Sequence, residues 1–120
     1  MSTPIVDAQA RHTLMIARLI LWAAGQGYQV TWGDAYRDPR CPYGSKTSAH
    51  HRRLAVDLNL FRDGKYLTRT EDHLPLGEYW ERMGGTWGGR FENKDGNHYE
   101  LKFPLPAGLA ALEEWNGDRA

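Results

Sequence analysis

Two short segments of the chain carry histidines and aspartates at spacings that could hold a metal ion. In the first, His50 precedes Asp57 by seven residues, and in the second, Asp95 precedes His98 by three. Two imidazoles and one carboxylate suffice as protein ligands for a catalytic zinc ion, which lowers the pKa of a water in its open position from about 15.7 towards 7. If folding brings His50, Asp57 and His98 together, the carboxylate of Asp95 would lie near the metal without being a ligand.

Each segment also has a structural explanation that needs no metal. The first could supply a loop histidine and a strand aspartate that both face water, and the second could be a polar turn. Two other histidines fit structural roles, because His12 lies on a predicted helix and His73 lies in a charged run. The residues alone leave both interpretations of the two segments open.

The hydrophobic pattern predicts seven elements in the order α-β-β-β-α-β-α. The helices cover residues 4–24, 76–83 and 107–115, and the strands cover residues 28–32, 54–61, 65–67 and 98–103. Thr3 and Pro4 suit the cap and the first position of the first helix, and Asp63 with Gly64 suits a hairpin turn. This order predicts a small single α+β domain over residues 1–120, with helices packed on a central antiparallel sheet.

Two of the predicted strands place candidate ligands on the face opposite their apolar side chains. In the strand over 54–61, the apolar set is predicted to face the core, so that Asp57 points the other way. In the strand over 98–103, His98 and Glu100 share the face that is free of apolar residues. The two apolar sets are Leu54, Val56, Leu58 and Leu60, and Tyr99, Leu101 and Phe103. Pairing of these strands in one sheet would bring the candidate ligands together.

The composition argues against several classes of protein. The 120 residues include 15 Lys+Arg and 15 Asp+Glu, and a neutral domain lacks the positive charge that nucleic-acid binding requires. A single cysteine, Cys41, excludes an internal disulfide framework and a cysteine-rich zinc module. Residues 1–10 lack the basic region of a signal peptide, and the apolar run over 14–24 is too short to span a membrane. We therefore expect a protein of the producing cell's cytoplasm, without stable membrane insertion.

The pattern Ser48-x-His50-x6-Asp57, followed by Asp95-x-x-His98, resembles peptidase family M15. This family comprises zinc D,D-carboxypeptidases, D,D-dipeptidases and L-alanyl-D-glutamate endopeptidases of peptidoglycan. Its pattern is S-x-H-x-x-G-x-A-x-D, followed later by an acidic residue three positions before a final histidine. The chain matches the serine, the ligands and the acidic residue in register.

Other parts of the chain extend the resemblance, and one position departs from it. Ala55 matches the alanine of the pattern, Tyr36-Arg37 resembles the upstream arginine element, and Trp87-Gly88-Gly89-x-Phe91 resembles the segment before the last motif. Arg53 occupies the usual glycine position. This departure could alter the turn before the strand, but it spares every expected ligand.

The resemblance implies the M15/Hedgehog-like zinc peptidase fold and a specific set of site residues. His50, Asp57 and His98 would bind one zinc ion per chain, and Asp95 would be the catalytic acid and base. Arg37 would bind a substrate carboxylate or help to polarise the scissile carbonyl.

Further residues are assigned around this centre. Ser48 would orient a ligand or contact the substrate, and Glu100 would support a ligand from outside. Trp87 either caps the core or forms one wall of a substrate groove, and both interpretations stay open. His51 competes with His50 as a ligand, but only His50 keeps the seven-residue step to the aspartate.

The resemblance implies a zinc metallopeptidase that hydrolyses the peptide stem of bacterial peptidoglycan. The aspartate base and the minimal domain favour a bacteriolytic L-alanyl-D-glutamate endopeptidase, namely a phage or prophage endolysin. We expect a monomer that a holin releases to the wall. A D-Ala-D-Ala carboxypeptidase or dipeptidase is the alternative within the family.

Two alternatives come from other functional classes. A ββα-metal nuclease would combine His50 and His51 with Asn59 and His73, but the zero net charge argues against DNA binding. A non-catalytic wall-binding module would be marked by the loss of a ligand or of the base. The chain has lost none of them.

Overall fold

The computed structural model describes residues 3–44, 48–109 and 112, and it confirms the α+β class. Its two α-helices are α1 (Pro4–Gly25) and α2 (Leu74–Arg82). Its five strands are β1 (Gln29–Trp32), β2 (Ala55–Arg62), β3 (Lys65–Leu67), β4 (Thr86–Trp87) and β5 (His98–Glu100). Short 3₁₀ helices cover Ala49–Arg52, Thr70–His73 and Gly88–Arg90.

The helix α1 begins and packs as its sequence predicts. The Thr3 side chain accepts a hydrogen bond from the Val6 N–H (3.4 Å), and Pro4 occupies the first turn, where a missing N–H costs nothing. One stripe of the helix is buried: Ala8, His12, Met15, Ile16, Leu19 and Ala23. The His12 Nε2–H donates to the Tyr99 carbonyl oxygen (3.1 Å), so this buried histidine joins α1 to β5 in a structural role.

The strand β2 organises an antiparallel sheet. It pairs with β1, β3 and β5, and β4 pairs with the far edge of β5. The hairpin between β2 and β3 turns at Asp63 and Gly64, which both have positive φ (52° and 77°), as the sequence predicts. The apolar set of β2 packs against both helices in one core cluster.

Most predicted ends lie within two residues of the observed ones, and the larger differences concern the last strand, β4 and the last helix. The last strand ends at Glu100 instead of residue 103, because its pairing with β2 and with β4 ends there and Pro104 follows. The sequence does not predict β4, because two residues are too few to show the alternation of a strand, and β4 is recognised only by its pairing with β5. The helix predicted over 107–115 lies mostly outside the described residues, and residues 107 and 108 belong to a turn with Gly108 at φ +80°.

Candidate active site

The loop before β2 places His50 inside the protein. The Ser48 side chain accepts a hydrogen bond from the His50 N–H (3.2 Å) and so caps the 3₁₀ helix Ala49–Arg52. Arg53 ends this helix in the left-handed conformation (φ 58°, ψ 35°) and turns the chain into β2. A glycine adopts that conformation without steric cost, which explains the glycine of the family pattern. Arg53 keeps the turn, and its guanidinium stacks on the Tyr36 ring, 4.1 Å from the ring centre.

The pairing of β2 with β5 places Asp57 directly opposite His98. The Asp57 Oδ1 lies 3.2 Å from the His50 Nε2 and 3.5 Å from the His98 Nδ1. One ligand atom from each of the three residues lies within 4.8 Å of the other two. Backbone hydrogen bonds hold Asp57 in place, because its N–H donates to the Asp34 carbonyl oxygen (2.7 Å) and its own carbonyl accepts from Gly33 (2.8 Å).

The three side chains have the properties of a metal site. The Asp57 Oδ1 and the His98 Nδ1 are buried, and neither has a hydrogen-bond partner among the described residues. Buried polar atoms are nearly always hydrogen-bonded, so these atoms point to a ligand that they bind together. Two imidazole nitrogens and one carboxylate oxygen fit zinc, which accepts nitrogen and oxygen ligands and keeps an open position in catalytic sites.

The electrostatics of the cluster favour a positive charge at its centre. Burial opposes the charged form of Asp57, but the adjacent imidazoles of His50 and His98 outweigh it and hold the Asp57 pKa at about 2. Burial likewise opposes the charged form of His98, yet Asp57 and Glu100 raise the pKa of His98 to about 9. The site therefore attracts a cation, whether a proton or a metal ion.

Glu100 orients His98 from the side away from the cluster. The His98 Nε2–H donates to the Glu100 Oε1 (2.7 Å), which leaves the Nδ1 to face Asp57. Burial raises the pKa of Glu100, but its contacts with His98 and Lys102 outweigh this effect and lower it. Metal-binding histidines commonly donate their second N–H to a carboxylate, which fixes the ring and the tautomer. The predicted support of a ligand by Glu100 has this geometry.

Asp95 lies beside the cluster and is more accessible than its members. Its Oδ2 is 3.7 Å from the His98 Nδ1, and its side chain is 50% exposed. Partial burial, the largest effect, raises the pKa of Asp95 above its usual value. The loop that carries Asp95 packs against Gly88, whose carbonyl oxygen accepts a hydrogen bond from the Asp95 N–H (2.9 Å). A side chain at position 88 would not fit, because its Cβ would lie 2.2 Å from the Asp95 carbonyl oxygen.

Arg37 brings a buried positive charge to the same cleft. Its side chain is 9% exposed and contacts the Asp34 Oδ2 at 3.2 Å, while its Nε is buried without a hydrogen-bond partner among the described residues. Gly44 makes room for it, because a Cβ there would lie 2.3 Å from the Arg37 guanidinium. The Tyr43 ring covers the guanidinium at 5.1 Å. Asp34, which sequence analysis missed, could have been suggested by its position three residues before Arg37.

Two other predicted residues lie outside the cluster. The His51 Nδ1–H donates to the Arg37 carbonyl (2.7 Å), so His50 and not His51 meets Asp57. The Trp87 ring is buried in the core cluster, and its N–H donates to the Gly96 carbonyl (2.7 Å). Trp87 is not among the described residues that line the cleft, and the structure thus places it behind the loop that carries Asp95.

The cleft over the cluster has a volume of about 480 Å³. Arg37, Ser48, His50, Asp95 and His98 line it, as the sequence-based assignment of these residues requires. It is also lined by Arg52 and Phe103, which sequence analysis did not connect with the site. Phe91, from the loop that resembles the segment before the last motif, and Lys102, two residues after Glu100 on the predicted strand, line it as well. Arg52 and Lys102 could have been found from their positions two residues after His50 and Glu100.

The nuclease constellation does not form. The Asn59 side chain donates to the Trp32 carbonyl (3.2 Å), and the His73 Nδ1 accepts a hydrogen bond from the Tyr99 hydroxyl (2.7 Å). Neither residue reaches His50. Within the described parts of the chain, His50, Asp57 and His98 form the one group of three histidine, cysteine or acidic residues close enough to share an ion.

Comparison with known proteins agrees with the geometry. The M15 peptidase family model described as D-alanyl-D-alanine carboxypeptidase matches residues 43–101, which include His50, Asp57, Asp95 and His98. No curated protein matches the chain. Among the described residues, no helix has the length and apolar character needed to cross a membrane. This match and the geometry of the site together support membership of peptidase family M15.

Proposed function

We propose that this protein is a zinc metallopeptidase that hydrolyses the peptide stem of bacterial peptidoglycan. The observation that carries the proposal is the convergence of His50, Asp57 and His98 within 4.8 Å, with the Asp95 carboxylate beside them. Residues 1–120 would form a single catalytic domain, and it would act as a monomer.

In this proposal, His50, Asp57 and His98 hold one zinc ion per chain. The bound ion supplies a Lewis acid and an activated water at neutral pH. Glu100 keeps His98 in the tautomer whose Nδ1 is free to bind, and Ser48 holds the backbone that carries His50. Both are positioning residues, although Ser48 also lines the cleft.

Asp95 moves the proton during the reaction. Its half-exposed carboxylate can accept a proton from the attacking water and then donate it to the departing amine nitrogen. An amide nitrogen leaves poorly unless it is protonated, so this transfer is needed in turnover. The raised pKa of Asp95 suits a group that must hold a proton part of the time.

Arg37 would bind an oxygen of the substrate. The described structure gives its buried guanidinium one carboxylate partner, Asp34, and leaves its Nε unbonded. A substrate carboxylate or the polarised scissile carbonyl would complete this set of hydrogen bonds. Because the group is already buried and oriented, little ordering is needed when the substrate binds.

We place the cut between L-Ala and D-Glu, as in a phage or prophage endolysin that a holin releases from the producing cell. A D-Ala-D-Ala carboxypeptidase or dipeptidase is the second candidate, and the description of the matching family model favours it. A wall-binding module without activity would not need the complete set of His50, Asp57, His98 and Asp95 that the cleft presents.

Digestion of purified muropeptides, with the products weighed by mass spectrometry, tests the proposal. The zinc-loaded protein should generate new amino termini and no new reducing sugar ends. His50→Ala should abolish both zinc binding and cleavage, and plasmid DNA should stay intact with Zn²⁺, Mg²⁺ or Mn²⁺. Full cleavage by the metal-free protein, or DNA nicking that disappears in His51→Ala, would overturn the proposal.

A further inference from the structure

We propose that Arg52 and Lys102 form a second anion subsite in the cleft, which binds a carboxylate next to the scissile bond of an acidic peptide. The inference rests on the proposed peptidase function and names its substrate class. Both residues line the cleft that contains His50, Asp95 and His98.

The backbone of Arg52 is held in place, and its guanidinium has no carboxylate partner among the described residues. Its carbonyl oxygen accepts a hydrogen bond from the Gln9 side chain (2.9 Å), which fixes the end of the 3₁₀ helix that also carries His50. Its guanidinium stacks over the Phe103 ring, 5.0 Å from the ring centre. The structure pairs it with no carboxylate in residues 3–44, 48–109 or 112. Stacking orients the flat group and leaves its edge available for a bidentate carboxylate contact.

Lys102 is only partly neutralised by its neighbour. Its Nζ lies 3.3 Å from the Glu100 Oε2, but the other Glu100 oxygen already accepts from His98 at 2.7 Å. An ammonium group has three donors, so one contact with Glu100 leaves two for a ligand. The side chain is 60% exposed and can therefore follow a bound peptide.

The charges of the cleft then point to an anionic substrate. Asp57 and Glu100 are committed to histidines, and Arg37 faces Asp34 near the reacting centre. Arg52 has no carboxylate partner among the described residues, and Lys102 has one, so both keep hydrogen-bond donors for an anionic ligand in this cleft. An L-Ala–D-Glu bond suits this arrangement, because the γ-linked D-Glu retains a free α-carboxylate. A D-Ala-D-Ala terminus carries a single carboxylate, which Arg37 alone could bind.

Two synthetic peptides that differ in one group test the subsite. Both are L-Ala-γ-D-Glu-L-Lys, one with the free α-carboxylate of D-Glu and the other with an α-carboxamide. We expect the zinc-loaded wild type to favour the carboxylate in kcat/KM by about 10-fold or more, as for a charge-assisted contact. Arg52→Gln and Lys102→Gln should each reduce that ratio at least about threefold, and Arg52→Lys should retain most of it.

The control is Lys65→Gln, which makes the same change in net charge at the exposed β2–β3 hairpin and should leave the ratio unchanged. Equilibrium binding of both peptides, measured by calorimetry, gives the same comparison without turnover. Equal use and equal binding of both peptides by the wild type, or an unchanged preference in Arg52→Gln, would overturn the subsite. If neither peptide is cut, the proposed endopeptidase activity is wrong, and the binding ratio still decides the subsite.

Discussion

His73 is a buried histidine whose protonation should destabilise the fold in mild acid. Its side chain is 2% exposed, its Nδ1 accepts a hydrogen bond from the Tyr99 hydroxyl (2.7 Å), and its ring also bonds the backbone of Leu67. Burial is the largest effect on this ring and lowers the pKa of His73 to about 4, although the charge of Asp72 opposes it. The neutral imidazole is therefore part of the packing between α2 and β5.

The sign and size of the effect follow from the two pKa values. In the unfolded chain the pKa of His73 is 6.5, and in the folded protein it is about 4. Between these values the unfolded chain binds the extra proton, so folding stability falls as the pH falls from 6.5 towards 4. Because of His73 alone, the free energy of unfolding should be lower at pH 5 than at pH 7.5 by about 2 kcal/mol.

Urea unfolding of the metal-free protein at pH 7.5 and pH 5 measures this loss. His73→Gln removes the titration, so the difference between the two pH values should shrink by about 2 kcal/mol. Tyr99→Phe is the control, because it removes the hydroxyl but leaves His73 buried, and it should keep the pH dependence. If His73→Gln loses as much stability in acid as the wild type does, the effect does not come from this residue.

Three further predictions concern the site and the loop that supports it. Asp95→Asn should keep its zinc and lose at least about 10²-fold in kcat, because proton transfer is removed, whereas His98→Ala should lose metal and activity together. Glu100→Gln should weaken zinc affinity by about 10–100-fold, as measured by competition with a chelator. Gly77→Ala should lower the unfolding free energy by about 1–3 kcal/mol, because its Cβ would lie 2.2 Å from the Trp87 ring.

Each of these predictions has a result that would contradict it, and the last two also have a matched control variant. Loss of zinc from Asp95→Asn would make that residue a ligand instead of a base. Glu81→Gln is the control for Glu100→Gln, because it breaks only a surface ion pair with Arg90 and should leave zinc affinity unchanged. If Glu100→Gln also binds zinc as tightly as the wild type does, Glu100 does not orient His98 for the metal. Gly25→Ala is the control for Gly77→Ala, because the added Cβ meets no atom within 4 Å. If Gly25→Ala lowers the unfolding free energy as much as Gly77→Ala does, the clash with Trp87 does not explain the loss.

The two strands that carry the candidate ligands could be predicted from the sequence, because successive side chains of a strand point to opposite faces of the sheet. The apolar residues at alternate positions of β2 are buried, so Asp57 had to lie on the other face, where β5 places His98 opposite it. The same alternation predicted that Glu100 shares the face of His98, and the 2.7 Å contact confirms it.

Other features depend on contacts that no local pattern contains. Arg52 and Lys102 lie two residues after His50 and Glu100, but the cleft that they line forms only where separate segments fold against each other. The Trp87 ring packs closely against Gly77, which lies ten residues before it on α2, and against Gly89, two residues after it. The left-handed turn at Arg53 contradicts residue preference, and it is closed by backbone hydrogen bonds from Arg53 to His50 and from Leu54 to Ala49.

The metal content of the purified protein tests the central claim most directly. We predict about one zinc ion per chain for the wild type, and its loss or strong weakening in His50→Ala, Asp57→Ala and His98→Ala, with each variant still folded by circular dichroism. A wild type that binds no zinc at neutral pH, or three variants that bind zinc as the wild type does, would contradict the assignment of this cluster as a metal site.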